Sequence, residues 1–400
     1  MPKRLLFGFL ILSIILTSLL VACAPSTSTS TTGSTTQATT PTSTTPKTTA
    51  TTTAAANWWD KFGTPQYGGT IIFRMDNLQL TFDPWTPWNH CWYLSDTLFA
   101  PDWTLDRSIW DFQTPFVPEA YCKPLMAESW EWTDPQNVIL HIRQGIDWHD
   151  KASGKVREFT AEDIQFHYDR ILGTGSGFTE PDGNLLQFAS AFERVTAKDK
   201  YTALAKFKAP SAFMNSQGLV EIFTQLFELP ELVKSGGITE WQNATGTGAF
   251  TLTDYVPSTS AYFEKYPGYW GMDERYPQNK LPYVDQVKIL CIQDASTAMA
   301  ALRTGKIDIM SGLDWQQAEL LKKTNPEFQQ IQVATGNVSL MMRNDLAPFN
   351  DINVRRALSM AIDRPTIAET RYGGLVDPTP QGTVYAKYTG WCFPYAEWSQ

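Results

Sequence analysis

The sequence predicts an α/β protein of more than one domain, and three observations carry that prediction. At 400 residues the chain exceeds the usual size of one domain, so two or three are expected. Short runs of β-branched and aromatic residues, bounded by Gly, Pro and Asp, alternate with stretches whose apolar residues recur at helical spacing. Several of those helical stretches open on a carboxylate placed to accept an orphan backbone N–H of the first turn.

Composition narrows the function classes. Apolar residues make up 42% of the chain, enough for a sizeable core. The formal charge of −9 argues against a nucleic-acid partner, whose phosphates demand clustered Lys and Arg. Fifteen Trp and fifteen Tyr supply amphipathic rings that suit a ligand-stacking surface as well as a core.

Residues 1–23 read as a leader. Lys3 and Arg4 form a charged start, and the apolar run Leu5 to Ala22 follows without a charge, marginal in length for a membrane span. Leu20-Val21-Ala22-Cys23 resembles the lipobox of bacterial lipoproteins, which implies that Cys23 receives the lipid and becomes the mature N-terminus. Residues 24–56 are almost entirely Ser, Thr, Pro, Ala, Gly and Gln. They cannot bury a core and are expected to form a disordered tether with a reach of roughly 30 Å.

The folded body begins with Tyr67-Gly68-Gly69 turning into a strand at Thr70 to Arg74. Trp85 to Trp110 carries five Trp among turn-forming residues with neither strand nor helix period. Trp130 to Trp132 and Val138 to Arg143 read as paired strands broken at Asp134-Pro135. Thr160 and Asp163 form a capping box ahead of a helix through Ile164, Tyr168 and Ile171. The first-turn carboxylates Glu162 and Asp163 are explained by the helix dipole, without catalysis.

Tyr201 to Lys208 alternates as a strand, and Phe213 to Glu228 reads as a helix. Gly246-Thr247-Gly248 is a tight turn before Ala249-Phe250; no Lys-Ser/Thr follows to make it a phosphate loop. Val287 to Ile292 reads as a strand buried on both faces. Asp294 caps a helix ending at Gly305, and Ile307 to Ile309 returns as a strand. Asp314 and Gln317 form another capping box, and Ile331 to Val333 and Val338 to Met342 read as further strands. Asp351 then caps a helix whose residues Val354, Ala357, Leu358, Ala361 and Ile362 form one apolar face. Asp363 and Pro365 open a second helix.

Pro348-Phe349-Asn350-Asp351, then Val354-Arg355-Arg356-Ala357-Leu358 and Ala361-Ile362-Asp363-Arg364, closely resembles the signature of the bacterial extracellular solute-binding proteins of family 5, the peptide, nickel and oligosaccharide receptors of ABC importers. The Gly69-Thr70-Ile71 strand with Asp83-Pro84, the segment Leu125 to Leu172, the Gly246 to Gly271 block and Ala301-Leu302 through Ile309 resemble that family in order. The resemblance implies an α/β, two-lobed periplasmic-binding-protein-like fold (type II, large three-subdomain form) with a hinge between lobes. Residues 57–78 and 239–292 would form the core of lobe I, 79–238 an inserted subdomain, and 293–400 an incomplete lobe II. Family members usually continue past the point matching Gln400, so a truncated chain is expected.

The implied function is capture of a small solute, peptide first and oligosaccharide or nickel as alternatives, for delivery to an ABC permease. The protein would act as a lipid-anchored extracytoplasmic monomer without cofactor or nucleic-acid partner. Candidate ligand contacts are Asn337, Ser339 and Asn344, on the strand entering the signature, with Trp85, Trp88 and Trp391 for stacking; ordinary packing competes for each Trp. Arg355 and Arg356 are expected to make structural ion pairs. His149 is expected to be structural, and the cysteine spacing fits no zinc pattern. Cys91, Cys122, Cys291 and Cys392 can pair in three ways. A secreted polysaccharide hydrolase is the other class, but Gly-x-Ser-x-Gly, His-Glu-x-x-His and similar catalytic motifs are absent from the sequence.

Overall fold

The computed structural model describes residues 57–84, 91–113, 117–182, 191–210, 226–333 and 339–380. Cys23, the tether, Trp85, Trp88, Asn337, Trp391, Cys392 and most of the helix expected at Phe213 to Glu228 lie outside them, as does the side chain of Cys91.

Strands run in the order β1 (Thr70–Met75), β2 (Phe99–Pro101), β3 (Cys122–Pro124), β4 (Ala127–Asp134), β5 (Asn137–Ile142), β6 (Asp147–Asp150), β7 (Gly154–Glu158), β8 (Phe192–Asp199) and β9 (Thr202–Phe207). β10 (Phe250–Val256), β11 (Ser260–Lys265), β12 (Met272–Asp273), β13 (Tyr276–Lys280) and β14 (Gln286–Cys291) follow. The helices are α1 (Ala161–Leu172), α2 (Pro230–Ser235), α3 (Ala295–Arg303), α4 (Trp315–Thr324), α5 (Ile352–Ala361) and α6 (Arg364–Tyr372).

Two four-stranded sheets organise this body. One has the order β1-β14-β11-β10. β14 is central there, parallel to β1 from Thr70 beside Gln286 to Met75 beside Cys291, and antiparallel to β11. The other, β4-β5-β9-β8, is antiparallel throughout. The strict alternation of buried and half-buried residues along β5 and β9 is what a sheet with one covered face requires. Helix α1 supplies that cover: Ile164, Tyr168 and Ile171 join Val138, Leu140, Trp148, Phe192 and Ala205 in one buried cluster. The first sheet has a separate core of Leu78, Leu80, Leu94, Leu252, Phe263, Val287 and Ile289.

Helix starts follow the sequence signals closely. Asp163 accepts the backbone N–H of Thr160 at 2.8 Å. Asp294 accepts from Thr297 at 2.7 Å, Asp314 from Gln317 at 2.7 Å, Asp351 from Asn353 at 2.8 Å and Asp363 from Thr366 at 3.1 Å. Each bond satisfies a donor that the helix itself leaves orphaned.

The region after β14 departs from expectation. Ile331 to Val333 and the described part of Val338 to Met342 form no strand, and Ile307 to Ile309 contributes only a single bridge, Ile309 beside Phe73. Strands exist only where neighbouring backbone pairs with them, and the described residues supply no further sheet here. For the same reason the apolar face of α5 is not enclosed: none of that helix's residues is buried. Arg355 donates to the Phe349 carbonyl at 2.6 Å. Among the described residues neither it nor Arg356 forms the ion pair expected of it.

Among the contacts that join the two cores in the described residues, two lie where the chain segments cross. At the first, the β6–β7 hairpin meets the Gly246-Thr247-Gly248 turn. The N–H of His149 donates to the Gly246 carbonyl at 2.9 Å, and the N–H of Gly246 returns to the His149 carbonyl at 3.1 Å. At the second, Asp83, where the chain leaves the first sheet, meets Glu228, where it comes back. Arg170 on α1 holds Asp83 at 2.7 Å and lies 3.5 Å from Glu228, while His167 Nδ1 sits 2.6 Å from the other Glu228 oxygen.

The Gly246-Thr247-Gly248 turn is also pressed against a third segment, at Leu94. A Cβ added at Gly246 would lie 1.9 Å from the Leu94 carbonyl oxygen, and backbone cannot swing aside as a side-chain tip can. Gly246→Ala is therefore expected to destabilise the protein by roughly 1–3 kcal/mol in urea unfolding; unchanged stability would show that the two segments do not touch.

The second fastening is pH-dependent. Burial alone would raise the Glu228 carboxyl, but the facing His167 and Arg170 outweigh it and hold it below its ordinary 4.5. Its stabilisation is thus present above pH 4.5 and is lost as pH falls through the lower folded value. Glu228→Gln breaks the buried pairing with His167 while leaving Asp83 on Arg170, and is expected to cost about 3–5 kcal/mol at pH 7, the difference from wild type shrinking in acid. A variant as stable as wild type at pH 7 would contradict this.

Candidate functional site

Between the two cores, four chain segments bring polar groups together. The loop before β2 supplies Asp96, the glycine turn supplies Thr247, the segment after β11 supplies Tyr266, Tyr269 and Trp270, and β6 supplies His149. The turn can come this close because Gly248 lies against the backbone of Leu94 and Ser95, where a Cβ would be 2.9 Å from both. The N–H of Gly248 donates to the Leu94 carbonyl at 2.7 Å.

His149 is wholly engaged. Its Nε2 lies 2.8 Å from the Gly248 carbonyl, so Nε2 carries the proton and donates. Nδ1 then accepts from the Thr251 hydroxyl at 2.9 Å, and the ring stacks on Tyr266 at 4.0 Å between centroids. Burial pushes its pKa down, which keeps the ring neutral. A histidine with both nitrogens committed and one face covered has no position left for a metal or a proton relay.

Asp96 is different. Its N–H donates to the Thr247 hydroxyl at 3.2 Å, and one carboxylate oxygen accepts from the Tyr269 hydroxyl at 2.9 Å. Burial of the carboxylate, opposed by the Tyr269 hydrogen bond, raises its pKa to about 7. Across the cluster, the Arg143 guanidinium lies 5.0 Å over the Trp270 ring as a cation–π contact. A carboxyl poised near neutrality where two cores meet marks this cluster as the candidate site among the described residues. Sequence reasoning quoted Tyr269 and Trp270 within a motif but missed Asp96. Its carboxylate is made unusual by partners some 150 or more positions away, and nothing local announces that.

The cavity beside this cluster, lined by Phe82, Leu94, Ser95, Glu228 and Asn243 to Thr245, has a volume of about 20 Å³. That is room for one water, not for a solute.

Of the contacts expected from sequence, only Ser339 and Asn344 fall among the described residues. Both are exposed and stand apart from the Asp96 cluster in the chain; Ser339 is not on a strand. Asp163, weighed as a catalytic acid, is buried and saturated by Thr160 N–H, Arg157 and the Trp148 indole. Cys291 points its thiol at the Asp76 carbonyl, 3.7 Å away. Among the described residues, no three His, Cys, Asp or Glu side chains converge as a metal site, and no helix is long and apolar enough to cross a membrane.

The raised carboxyl generates a prediction with a definite sign. Because Asp96 ionises at about 7 folded against 3.8 free, its charge costs stability, increasingly as pH rises from 3.8 to 7 and constantly above. Asp96→Asn is therefore expected to raise the melting temperature most at pH 8 and hardly at all below pH 4. A uniform effect across that range would show that Asp96 is not buried as a charge.

The chain is 28% identical over 265 residues to heme-binding protein A of Haemophilus influenzae, covering 63% of this chain and 47% of that protein. It is 26% identical over 280 residues to the periplasmic oligopeptide-binding protein OppA of the same organism, covering 65% and 49%. The chain thus spans about half the length of these curated relatives. Among solved structures, the periplasmic binding protein DppA of Helicobacter pylori in complex with the peptide STSA aligns with a TM-score of 0.58 at 21% identity, over 77% of this chain and 59% of that one. Haemophilus influenzae OppA in complex with RPPGFSPFR aligns with a TM-score of 0.56 at 21% identity, over 77% and 58%. These likenesses establish the two-domain α/β periplasmic-binding-protein fold. The sequence model described as "Bacterial extracellular solute-binding proteins, family 5 Middle" matches residues 122–393, well over half of the chain, and the chain belongs to that family.

Proposed function

We propose that the protein is the extracytoplasmic solute receptor of an ABC importer, that its solute is a peptide, and that it binds without chemical turnover. The observation that carries this reading is the family match over residues 122–393. Its support comes from relatives named as oligopeptide- and dipeptide-binding proteins and from like folds solved with bound peptides. Haem and nickel complexes are the competing solutes, because a relative is named for haem and a like fold was solved with Ni(L-His).

In this reading Cys23 carries the lipid, residues 24–56 tether the body, and a monomer delivers solute to a membrane permease. Residues 57–78 and 239–292 form the core of one lobe, 79–238 its inserted subdomain, and 293–400 belong to the other. Asn337, Ser339 and Asn344, with Trp85, Trp88 and Trp391, contact the solute. Closure on the solute requires contacts made in only one of the two states, and the Trp rings would supply them.

Titration of the protein with di- to nonapeptides, haem and nickel–histidine, followed by tryptophan fluorescence and by mass spectrometry of the recovered solute, tests the proposal. Saturable binding of peptide, with the peptide recovered intact, is expected. Binding confined to haem or to the nickel complex would overturn the peptide assignment, and cleaved peptide would overturn the receptor reading in favour of a hydrolase.

A further inference from the structure

The chain runs into its folded body along residues 57–69, and side chains hold that stretch down at several points. The Trp58 indole donates to the Thr104 carbonyl at 3.2 Å, in the loop between β2 and β3. The Tyr276 hydroxyl donates to the Gly63 carbonyl at 3.3 Å, and the Tyr67 hydroxyl donates to the Lys280 carbonyl at 2.9 Å. The Gly68 N–H then donates to the Tyr283 carbonyl at 2.8 Å as β1 begins. These bonds fix where residue 57 leaves the body, beside the loop that follows β2.

Aromatic rings and cations collect at that point. The Arg107 guanidinium lies 3.9 Å over the Trp58 ring and 4.4 Å over the Phe112 ring. Phe112 stacks on Trp103 at 4.6 Å, Phe62 meets Trp58 edge-on at 6.1 Å, and Lys61 lies 5.0 Å over the Phe62 ring. This continuous ladder still leaves large apolar side chains in water: Phe62, Ile109 and Trp103 are 57%, 55% and 54% exposed. A contiguous exposed apolar patch marks an interface, and rings mixed with Arg and Lys are the composition of a water–lipid boundary. Charge does not direct the patch to a strongly charged partner. Its carboxylates serve their own turns, Asp60 accepting from the Asn57 N–H at 2.7 Å, Asp102 from Thr104 at 3.0 Å and Asp106 from Ser108 at 2.8 Å, and they stand interspersed with the cations.

We propose that Phe62, Trp103 and Ile109, presented by the Trp58–Arg107 ladder, dock on the surface of a lipid bilayer and so set which side of the body faces the membrane. Place identifies the occupant. Residues 24–56 are the tether of the reading above, and they join the body inside this patch, so the patch is the part of the body that the anchor holds nearest to the lipid. A tether with a reach of roughly 30 Å gives the patch a high effective concentration at the surface, and a contact too weak to act alone then becomes effective. Lasting attachment takes a lipid chain and a second contact, and the rings supply the second. The inference rests on the anchoring of the chain at Cys23 and is independent of which solute is bound.

The test places the full chain, held by its anchor, in phosphatidylcholine vesicles with and without lipids that carry a nitroxide near the headgroup, and reads tryptophan emission. The nitroxide lipids are expected to quench part of that emission. The double variant Phe62→Ser, Ile109→Ser removes no tryptophan, yet is expected to cut the quenching by about half or more; Trp103→Tyr is expected to do the same. All three side chains are exposed, so the melting temperature of each variant is expected to match wild type. Raising the salt from about 0.05 to about 0.5 M is expected to leave the quenching in place, since rings and not charges make the contact. A chain that floats with the vesicles without being quenched, or whose quenching neither variant reduces, or whose quenching salt abolishes, would overturn the docking and leave the anchor standing. A chain that does not float would overturn both, and failure to bind peptide would count against the receptor reading alone.

Discussion

The approach of Gly246 and Gly248 to the backbone of Leu94 is the constraint on which the rest of this structure depends. It brings three distant stretches, residues 92–98, 147–150 and 246–251, within hydrogen-bonding range of one another. His149 then locks them, with two backbone bonds to Gly246, a side-chain bond to Gly248 and another to Thr251. Because both ring nitrogens are used, the histidine is a fixed structural member. Its neutrality follows from burial, and that neutrality lets one nitrogen donate while the other accepts.

Charge performs the complementary task at the places where the chain crosses between the cores. Asp83 and Glu228 mark the outgoing and returning crossings, and α1 presents Arg170 to both and His167 to Glu228. Such buried pairs add little net stability over apolar packing, yet breaking one is costly. Their effect is to specify which crossing geometry survives. Asp163 follows the same logic, spending its carboxylate on an N-cap, an arginine and an indole. The two-core body is thereby held by polar as well as apolar contacts.

Much of this was legible in the sequence because its causes are local. Capping carboxylates, the Asp134-Pro135 turn and the alternation along residues 202–207 depend on neighbours within a few positions, and each appears where the pattern puts it. The signature at 348–367 identified the family, and the family match agrees. What failed depends on distant partners. Among the described residues, Ile331 to Val333 has strand composition but no paired neighbour, and the face of α5 has helical periodicity but no buried residue. Arg355 was expected in an ion pair and instead satisfies the Phe349 carbonyl, a choice set by the turn before the helix. Asp96 escaped notice because its raised pKa comes from its burial among distant segments, which is not visible at its own position.

The central claim is that the glycine turn and His149 join the two cores into one unit. Native-state hydrogen exchange at the amides of His149, Gly246 and Gly248 tests it most directly. These amides are predicted to be protected as strongly as those of β5 and β10, opening only with global unfolding. Rapid exchange there, with the strands on either side still protected, would show that the two cores are separate bodies and would contradict the account.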